Sequence, residues 1–82
     1  MYFAYILLLK NTNLYAGYTD NLKRRLSEHL AGKVNSTRNR RPLKLIYYEA
    51  FVSKEDARRR EKYFKTTKGK STLRLMLRET LK

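Results

Sequence analysis

A glutamate on the expected inner face of a helix is the first candidate for chemistry in this sequence. Ala57 and Phe64 define the apolar stripe of that helix, and Glu61 lies four residues after the first and three before the second. Because a buried carboxylate is costly unless it is paired or bound to a cation, Glu61 needs a partner. Two interpretations stay open: an ion pair with Arg25 or another arginine, and a ligand position for Mg²⁺ or Mn²⁺.

Two further candidates lie four residues apart on an earlier predicted helix. Arg25 and His29 project from one side of that helix, next to a stripe formed by Leu22, Leu26 and Leu30. Structural roles are also open to them, because an arginine stem can cover a leucine and a single histidine is more often packed than catalytic. Only their position at the edge of the expected core distinguishes them from other polar residues.

A pair of tyrosines completes the set. Residues Tyr2–Leu9 and Leu14–Tyr18 are predicted to form a β-hairpin around the polar turn Lys10–Asn13. Because side chains alternate along strands, Tyr5 and Tyr15 can present both hydroxyl groups at one place. Two phenols beside a carboxylate, a guanidinium and an imidazole provide the parts for phosphodiester hydrolysis: a metal ligand, a charge stabiliser and groups that position water.

The elements that follow the hairpin must position the remaining side chains. The first helix is predicted over Asn21–Ala31, with Asp20 as its N-cap and Gly32 as its end. A polar, arginine-rich loop over residues 32–42 follows, and Leu43–Val52 returns to strand character.

Two helices are predicted after this strand. Ser53 and Asp56 resemble a capping box for a helix that continues to about Lys65. After a loose stretch, Thr66–Lys70, a last helix is expected to begin near Ser71. Its apolar face would consist of Leu73, Met76, Leu77 and Leu81.

Composition limits the class of protein. The 82 residues, 41% of them hydrophobic, predict one small folded domain over residues 1–82 and are too apolar for a charge-driven disordered tail. The absence of cysteine excludes disulfides, thiolate metal sites and a cysteine nucleophile. The longest apolar run, Ala4–Leu9, is too short to cross a membrane, so a cytoplasmic protein without membrane contact is expected.

Charge points to a polyanionic partner. The chain has 20 Lys and Arg against 7 Asp and Glu, a formal net charge of +13. Residues 23–44 and 54–70 hold eight Lys or Arg each, interleaved with small polar residues and tyrosines, which favours phosphate contacts over insertion into lipid. The candidate nucleic-acid-binding side chains are Lys23, Arg24, Arg38, Arg40 and Arg41.

Five segments follow one another in a characteristic order: Phe3-Ala4-Tyr5, Tyr15-Ala16-Gly17, Leu22–His29, Arg40–Glu49 and Arg60-Glu61-Lys62. This ordered set of motifs resembles the GIY-YIG nuclease family, and in particular its small stand-alone bacterial branch. The resemblance covers about Tyr2–Lys65 and includes similarity to the nuclease domain of the nucleotide excision repair C subunit, which makes DNA repair an expected setting.

The resemblance implies an α/β (α+β) domain, with a three-stranded antiparallel sheet flanked by helices in the order β-β-α-β-α-α. It also implies a DNA endonuclease that uses one divalent ion, Mg²⁺ or Mn²⁺, held by Glu61. Tyr5 would help to deprotonate the attacking water, Tyr15 would hydrogen-bond the phosphate or a metal-bound water, and Arg25 would stabilise transition-state charge.

Two further roles follow from the same resemblance. His29 is expected to transfer a proton, and Thr37, in the segment Ser36-Thr37-Arg38, is expected to contact phosphate. The family pattern is not complete, because Phe3 replaces the first motif glycine, Ala16 occupies the middle of the second motif, and no matching polar residue follows the second helix.

Two other functions fit the same residues. The first is a non-catalytic nucleic-acid-binding module on the same fold, in which the basic loop binds phosphates. The second is a small basic adaptor for an acidic protein. For a nuclease, branched and single-stranded DNA are included among the expected substrates, and the choice of target would depend on the basic surface or on a partner protein.

Overall fold

The computed structural model describes residues 1–82 as three strands and three α-helices. In chain order these are β1 (Tyr2–Leu8), β2 (Leu14–Thr19), α1 (Leu22–Leu30), β3 (Lys44–Phe51), α2 (Lys54–Phe64) and α3 (Thr67–Met76), with a 3-10 turn at Arg38–Arg40 inside the predicted loop. The predicted order β-β-α-β-α-α is confirmed. None of the helices has the length and apolar character needed to cross a membrane.

The three strands form one antiparallel sheet in the order β2-β1-β3, so β1 is the central strand. Tyr5 lies opposite Gly17 on β2 and opposite Tyr48 on β3. Leu7 lies opposite Tyr15, and because paired residues share a face, Tyr5 and Tyr15 are diagonal neighbours on the same side of the sheet. This is the arrangement predicted from the hairpin.

The core divides into two clusters, because successive residues of β1 point to opposite faces of the sheet. The first cluster lies against α1 and contains Tyr5, Leu7, Leu9 and Leu43, with Tyr15, Leu22, Leu26 and Leu45 packed around it. The second lies against α2 and α3 and contains Ile6, Ala16, Phe64, Leu73 and Leu77. Tyr5, one of the catalytic candidates, is therefore attached to a strand that is packed on both sides.

Helix α1 begins one residue later than predicted. Asn21, not Asp20, is the N-cap, and its side chain accepts a hydrogen bond from the backbone N–H of Arg24 at 3.0 Å. Asp20 instead forms an exposed ion pair with the Arg24 guanidinium. Gly32 ends the helix with φ of +76°, a conformation that favours glycine.

Helix α3 begins earlier than predicted and includes most of the supposedly loose stretch. Thr66 caps it by accepting a hydrogen bond from the N–H of Gly69 at 3.0 Å. Gly69 is buried against the carbonyl oxygen of Tyr63, where any side chain would overlap the backbone of α2. Gly69, inside the stretch predicted to be loose, is therefore a point of close contact between α3 and α2.

One leucine and one methionine that were predicted to lie on the apolar faces of their helices are exposed. Leu30 at the end of α1 is 52% exposed, and Met76 at the end of α3 is 42% exposed. Both lie in the last turn of their helix, where the helix leaves the core that its earlier turns contact.

Candidate active site

One open pocket collects the four side chains that the sequence singled out for chemistry. Tyr5 on β1, Tyr15 on β2, Arg25 on α1 and Glu61 on α2 all line it. The other lining residues are Gly17, Tyr18, Lys54 and Arg58. Four different elements thus contribute to one concave surface, on which phenol, guanidinium, ammonium and carboxylate groups face a common space.

Tyr5 is placed by the absence of a side chain opposite it. Its ring occupies the space next to Gly17 where a Cβ would lie, and a Cβ added to Gly17 would overlap Cζ and Oη of the phenol. Gly17 has no unusual φ, so its role is to leave room, not to permit a special backbone conformation. The glycine of the second motif therefore supports the tyrosine of the first.

Tyr5 is the first member of a buried chain of three hydrogen-bonding groups. Its Oη lies 2.8 Å from Nε2 of His29, and Nδ1 of His29 lies 2.8 Å from Oγ1 of Thr37. None of the three side chains is more than 2% exposed. His29 does not line the pocket, but it contacts two residues that do: it is hydrogen-bonded to Tyr5, and its ring packs edge-on against that of Tyr15.

Burial keeps the tyrosine and the histidine of this chain uncharged. It raises the pKa of Tyr5 to about 12, although the nearby Arg25 guanidinium acts in the opposite direction. Burial, aided by Arg25, lowers the pKa of His29 below its usual value of 6.5. At neutral pH the pair is a phenol hydrogen-bonded to a neutral imidazole.

The prediction that Thr37 contacts phosphate is wrong. Thr37 is fully buried, and its hydroxyl group is hydrogen-bonded to His29. The adjacent Ser36 is exposed and donates a hydrogen bond to Oη of Tyr15 at 3.2 Å. The loop before β3 therefore supports the two motif tyrosines, Tyr15 directly and Tyr5 through His29.

Arg25 lies at the rim of the pocket with its guanidinium partly exposed. Nη1 donates to Oε1 of Glu28 at 3.0 Å, and the side chain is 36% exposed. Glu28 restrains the guanidinium through this one hydrogen bond, while other N–H groups of the fork stay available for an anion. Glu61 forms no ion pair with Arg25 or with another arginine, so the interpretation that pairs Glu61 with an arginine is wrong.

Glu61 is 16% exposed and forms an ion pair with Lys65. Lys65 lies four residues later in the chain, at the C-cap of α2. The Lys65 ammonium lies 2.7 Å from Oε2 of Glu61, and its side chain is 53% exposed. Such an exposed i,i+4 partner is weakly held and can move into solvent. The negative charge of Glu61 is therefore balanced by Lys65, and the carboxylate still lines the pocket.

The donor set fits a divalent ion that keeps most of its water. No group of three or more His, Asp or Glu side chains is assembled to hold a metal. Mg²⁺ is commonly bound through one or two carboxylates, with water and substrate phosphate completing its coordination. Glu61, facing the pocket alone, matches that pattern and does not match a site built entirely from protein ligands.

The family model described as the GIY-YIG catalytic domain matches residues 1–74. The chain belongs to the GIY-YIG family. GIY-YIG domains are nuclease domains, so membership of this family supports the prediction that the chain is a hydrolase. The predicted resemblance, including the small bacterial branch, is confirmed by the relatives as well.

These relatives carry the name UPF0213 protein. The one from Staphylococcus haemolyticus is 41% identical over 76 residues, covering 92% of this chain and 93% of the relative. The one from Clostridium perfringens is 39% identical, covering 100% of this chain and 89% of the relative. The one from Lactiplantibacillus plantarum is 49% identical over 67 residues, and that match spans 66% of its length.

A solved structure shows the same fold. The solution NMR structure of a UPF0213 protein from Bacillus halodurans is 38% identical to this chain and superposes with a TM-score of 0.59. The match covers 93% of this chain and 85% of that one. The three-stranded sheet with flanking helices is thus shared with a small GIY-YIG relative.

The two substitutions within the GIY-YIG motifs, Phe3 and Ala16, lie outside the pocket. Phe3 packs edge-on against Tyr48, with ring centroids 6.0 Å apart. Ala16 is 7% exposed and belongs to the core cluster with Phe64. Neither side chain lines the pocket, so both substitutions change packing and leave the polar groups of the site in place.

The predicted nucleic-acid-binding residues occupy different positions around this GIY-YIG site. Arg24 lines a groove beside the pocket together with Arg25 and Lys54. Lys23, Arg38 and Arg40 are exposed but do not line the pocket.

The side chain of Arg41 is hydrogen-bonded to two backbone carbonyl groups. Its Nη1 donates to the carbonyl oxygen of Leu30 at 3.3 Å, and its Nε donates to that of Arg38 at 3.1 Å. These bonds attach the arginine-rich loop to the C-terminal end of α1, where carbonyl groups lack helical partners. Arg41 thus has a structural role that the basic sequence pattern did not reveal.

Sequence reasoning missed two basic residues and a tyrosine in the pocket. Lys54 and Arg58 lie four residues apart on α2, and Glu61 follows three residues later. This helical spacing places all three on one face and could have identified them. Tyr18 directly follows the second motif, and the Arg58 guanidinium lies 5.8 Å from its ring centroid.

Proposed function

We propose that this GIY-YIG chain is a divalent-metal-dependent endonuclease that hydrolyses DNA phosphodiester bonds. One observation carries the proposal: Tyr5, Tyr15, Arg25 and Glu61 come from four elements and line one open pocket. They supply the groups that phosphodiester hydrolysis requires, which are a metal-binding carboxylate, an anion-binding guanidinium and hydroxyl groups for water and phosphate.

Each residue has a distinct role in this proposal. Arg25 binds a non-bridging phosphate oxygen and stabilises the charge that accumulates in the transition state, because its fork of N–H groups remains partly exposed. Tyr15 donates a hydrogen bond to a phosphate oxygen, and Ser36 holds its hydroxyl group in place. Tyr5 holds the attacking water through Oη and is itself fixed by His29.

Glu61 would hold the divalent ion, Mg²⁺ or Mn²⁺. Once bound, the ion would polarise the scissile phosphate and stabilise the leaving oxygen. Lys65 would leave the carboxylate when the metal arrives, and its exposure allows this movement without disturbing the core.

DNA would reach the site across a basic surface. Lys54 and Arg58 line the pocket, and Arg24 continues the positive charge into the adjacent groove. Such contacts are made to phosphates, which are the same in every sequence, so the proposed cutting is structure-selective or only weakly sequence-specific. The relatives are bacterial proteins, which fits a cytoplasmic enzyme acting on DNA.

The test is cleavage of labelled duplex, single-stranded and branched DNA in Mg²⁺ and in Mn²⁺, with and without a chelator. Glu61→Gln and Arg25→Ala are compared with Glu79→Gln and Arg78→Ala, which make the same chemical changes at positions outside the pocket. We expect cutting that the chelator stops, that both pocket variants lose and that both control variants keep. Cutting that survives Glu61→Gln would contradict the assignment of the metal ligand.

A non-catalytic DNA-binding module is the second candidate. The ion pair between Glu61 and Lys65 favours it, because this pair satisfies the carboxylate without a metal. Salt-dependent DNA binding without any metal-dependent cutting, on all three forms of DNA, would support this function in place of the nuclease.

A further inference from the structure

The hydroxyl group of Thr37 has a single hydrogen-bond partner, Nδ1 of His29, at 2.8 Å. The other ring nitrogen, Nε2, lies 2.8 Å from Oη of Tyr5. Thr37 and His29 are both fully buried. A neutral imidazole carries one proton, so one of its nitrogens donates a hydrogen bond and the other accepts one.

Hydrogen-bond accounting distinguishes the two tautomers. If Nδ1–H donates to Thr37, the hydroxyl proton of Thr37 has no acceptor within a fully buried site. If the hydroxyl of Thr37 donates to Nδ1, every N–H and O–H of Thr37 and His29 side chains has a partner, because Nε2–H then donates to Tyr5. Buried donors without acceptors are rare and costly, whereas a second unused lone pair on a hydroxyl oxygen is tolerated.

We propose that Thr37 is a positioning residue whose hydroxyl group holds His29 as the Nε2–H tautomer, so that His29 donates a hydrogen bond to Oη of Tyr5. The catalytic part of this inference rests on the proposed nuclease function, and the tautomer itself does not. His29 in this state cannot accept the proton of Tyr5, because Nε2 already carries one. The hydroxyl proton of Tyr5 is directed into the pocket.

This assignment gives His29 a role different from proton transfer. The imidazole orients Tyr5 and supports negative charge on Oη, in the way that an outer hydrogen-bond partner fixes a reacting group. Ser36 and Thr37 are consecutive, and they set the two motif tyrosines by separate routes. The loop before β3 thereby determines the orientation of both hydroxyl groups in the pocket.

His29 is the only histidine in the chain, so its tautomer can be measured without assignment of other resonances. Long-range proton–nitrogen NMR on the ¹⁵N-labelled full chain, at a pH above the pKa of His29, reports which ring nitrogen is protonated. We expect the Nε2–H pattern, with Nδ1 showing the shift of a nitrogen that accepts a hydrogen bond. An Nδ1–H pattern in the wild-type protein would overturn the proposal.

Two variants of Thr37 provide the matched comparison. Thr37→Val keeps the shape and removes the hydroxyl, so Nδ1 should shift towards the value of a nitrogen that accepts no hydrogen bond. Thr37→Ser keeps the hydroxyl and should retain the wild-type pattern, and it also shows whether the position tolerates substitution. An Nδ1 shift that is the same in Thr37→Val and in the wild type would count against the proposal.

Kinetics on cleavable DNA supply the second readout. Thr37→Val should lower kcat roughly ten- to hundredfold with little change in KM, and Thr37→Ser should restore most of the rate. Equal kcat in all three proteins would refute the positioning role. If the wild-type protein cuts no DNA but shows the expected tautomer and its dependence on Thr37, the proposed function fails while the hydrogen-bond assignment stands.

Discussion

Replacement of Gly17 by alanine tests how the pocket is assembled. The added Cβ would overlap the outer ring atoms of Tyr5, including Cζ and Oη. Overpacking of this kind costs about 1–3 kcal/mol, and loss of the buried hydrogen bond between Tyr5 and His29 adds about 1 kcal/mol. Alanine is better than glycine within a strand by roughly 0.5–1 kcal/mol, so the expected net loss of unfolding free energy is about 1–3 kcal/mol.

This loss is large for so small a domain, because 82 residues correspond to a total stability of roughly 4–12 kcal/mol. It can be measured by urea unfolding of the wild-type protein and of Gly17→Ala. The control is the same substitution in a Tyr5→Leu background, since leucine lacks Cε1, Cζ and Oη, the three atoms nearest the added Cβ. There Gly17→Ala should no longer destabilise the protein and can stabilise it by up to about 1 kcal/mol.

Comparison of the two backgrounds shows whether contact with the Tyr5 ring is the reason for glycine at position 17. If Gly17→Ala costs the same free energy with and without the phenol ring, the close contact with Tyr5 is not the reason for glycine at this position. If the cost disappears with the ring, Gly17 is required because it makes room for Tyr5.

Three further predictions concern stability. Partial burial would raise the pKa of Glu49, but hydrogen bonds from Nε and Nη2 of Arg60, at 2.8 and 3.1 Å, hold that pKa below its usual value. Glu49→Gln should therefore lower the free energy of unfolding in urea by about 1–3 kcal/mol at pH 7, and by progressively less as the pH falls below about 4.5. An equal loss at pH 3 and at pH 7 would contradict this prediction. Because burial lowers the pKa of His29, the unfolded chain takes up a proton before the folded protein does as the pH falls below about 6.5. The free energy of unfolding should therefore decline from that pH down to the pKa of His29 in the folded protein. If the thermal midpoint of a His29→Gln variant declines as much between pH 7 and 5 as that of the wild type, another group is responsible. Gly69→Ala should destabilise the protein by about 1–3 kcal/mol because its Cβ would meet the carbonyl oxygen of Tyr63, whereas Lys70→Ala at the exposed neighbouring position should be close to neutral in the same unfolding assay.

The sequence predicted those parts of the fold that depend on local periodicity. The polar turn Lys10–Asn13 between two apolar and aromatic runs identified the hairpin, and the spacing of Ala57, Glu61 and Phe64 identified the inner face of α2. It failed at the start of α3, because the polar residues of 66–70 show no apolar period and Gly69 usually signals a break. Only the close packing on α2, a tertiary contact, makes a glycine suitable there.

The site was predictable to the extent that its members have chemically unusual positions. Glu61 stood out because a carboxylate on an apolar stripe needs an explanation, whereas Lys54 and Arg58 were hidden among many basic residues. The partner of Glu61 could not be deduced, because the sequence offers many cations and only the fold shows that Lys65 is nearest. Thr37 was misassigned since a threonine in a basic loop gives no sign that the loop folds inward at that residue.

The strand order has a consequence for the lifetime of the pocket. Tyr5 lies on the central strand, with backbone neighbours on both sides, but Tyr15 and Gly17 lie on an edge strand that has a neighbour on one side only. Edge strands open locally at a lower free energy than central ones. The amides whose hydrogen bonds join β1 to β2, including those that β1 donates, should therefore exchange hydrogen through a partial opening that separates the two tyrosines and leaves the rest of the domain folded.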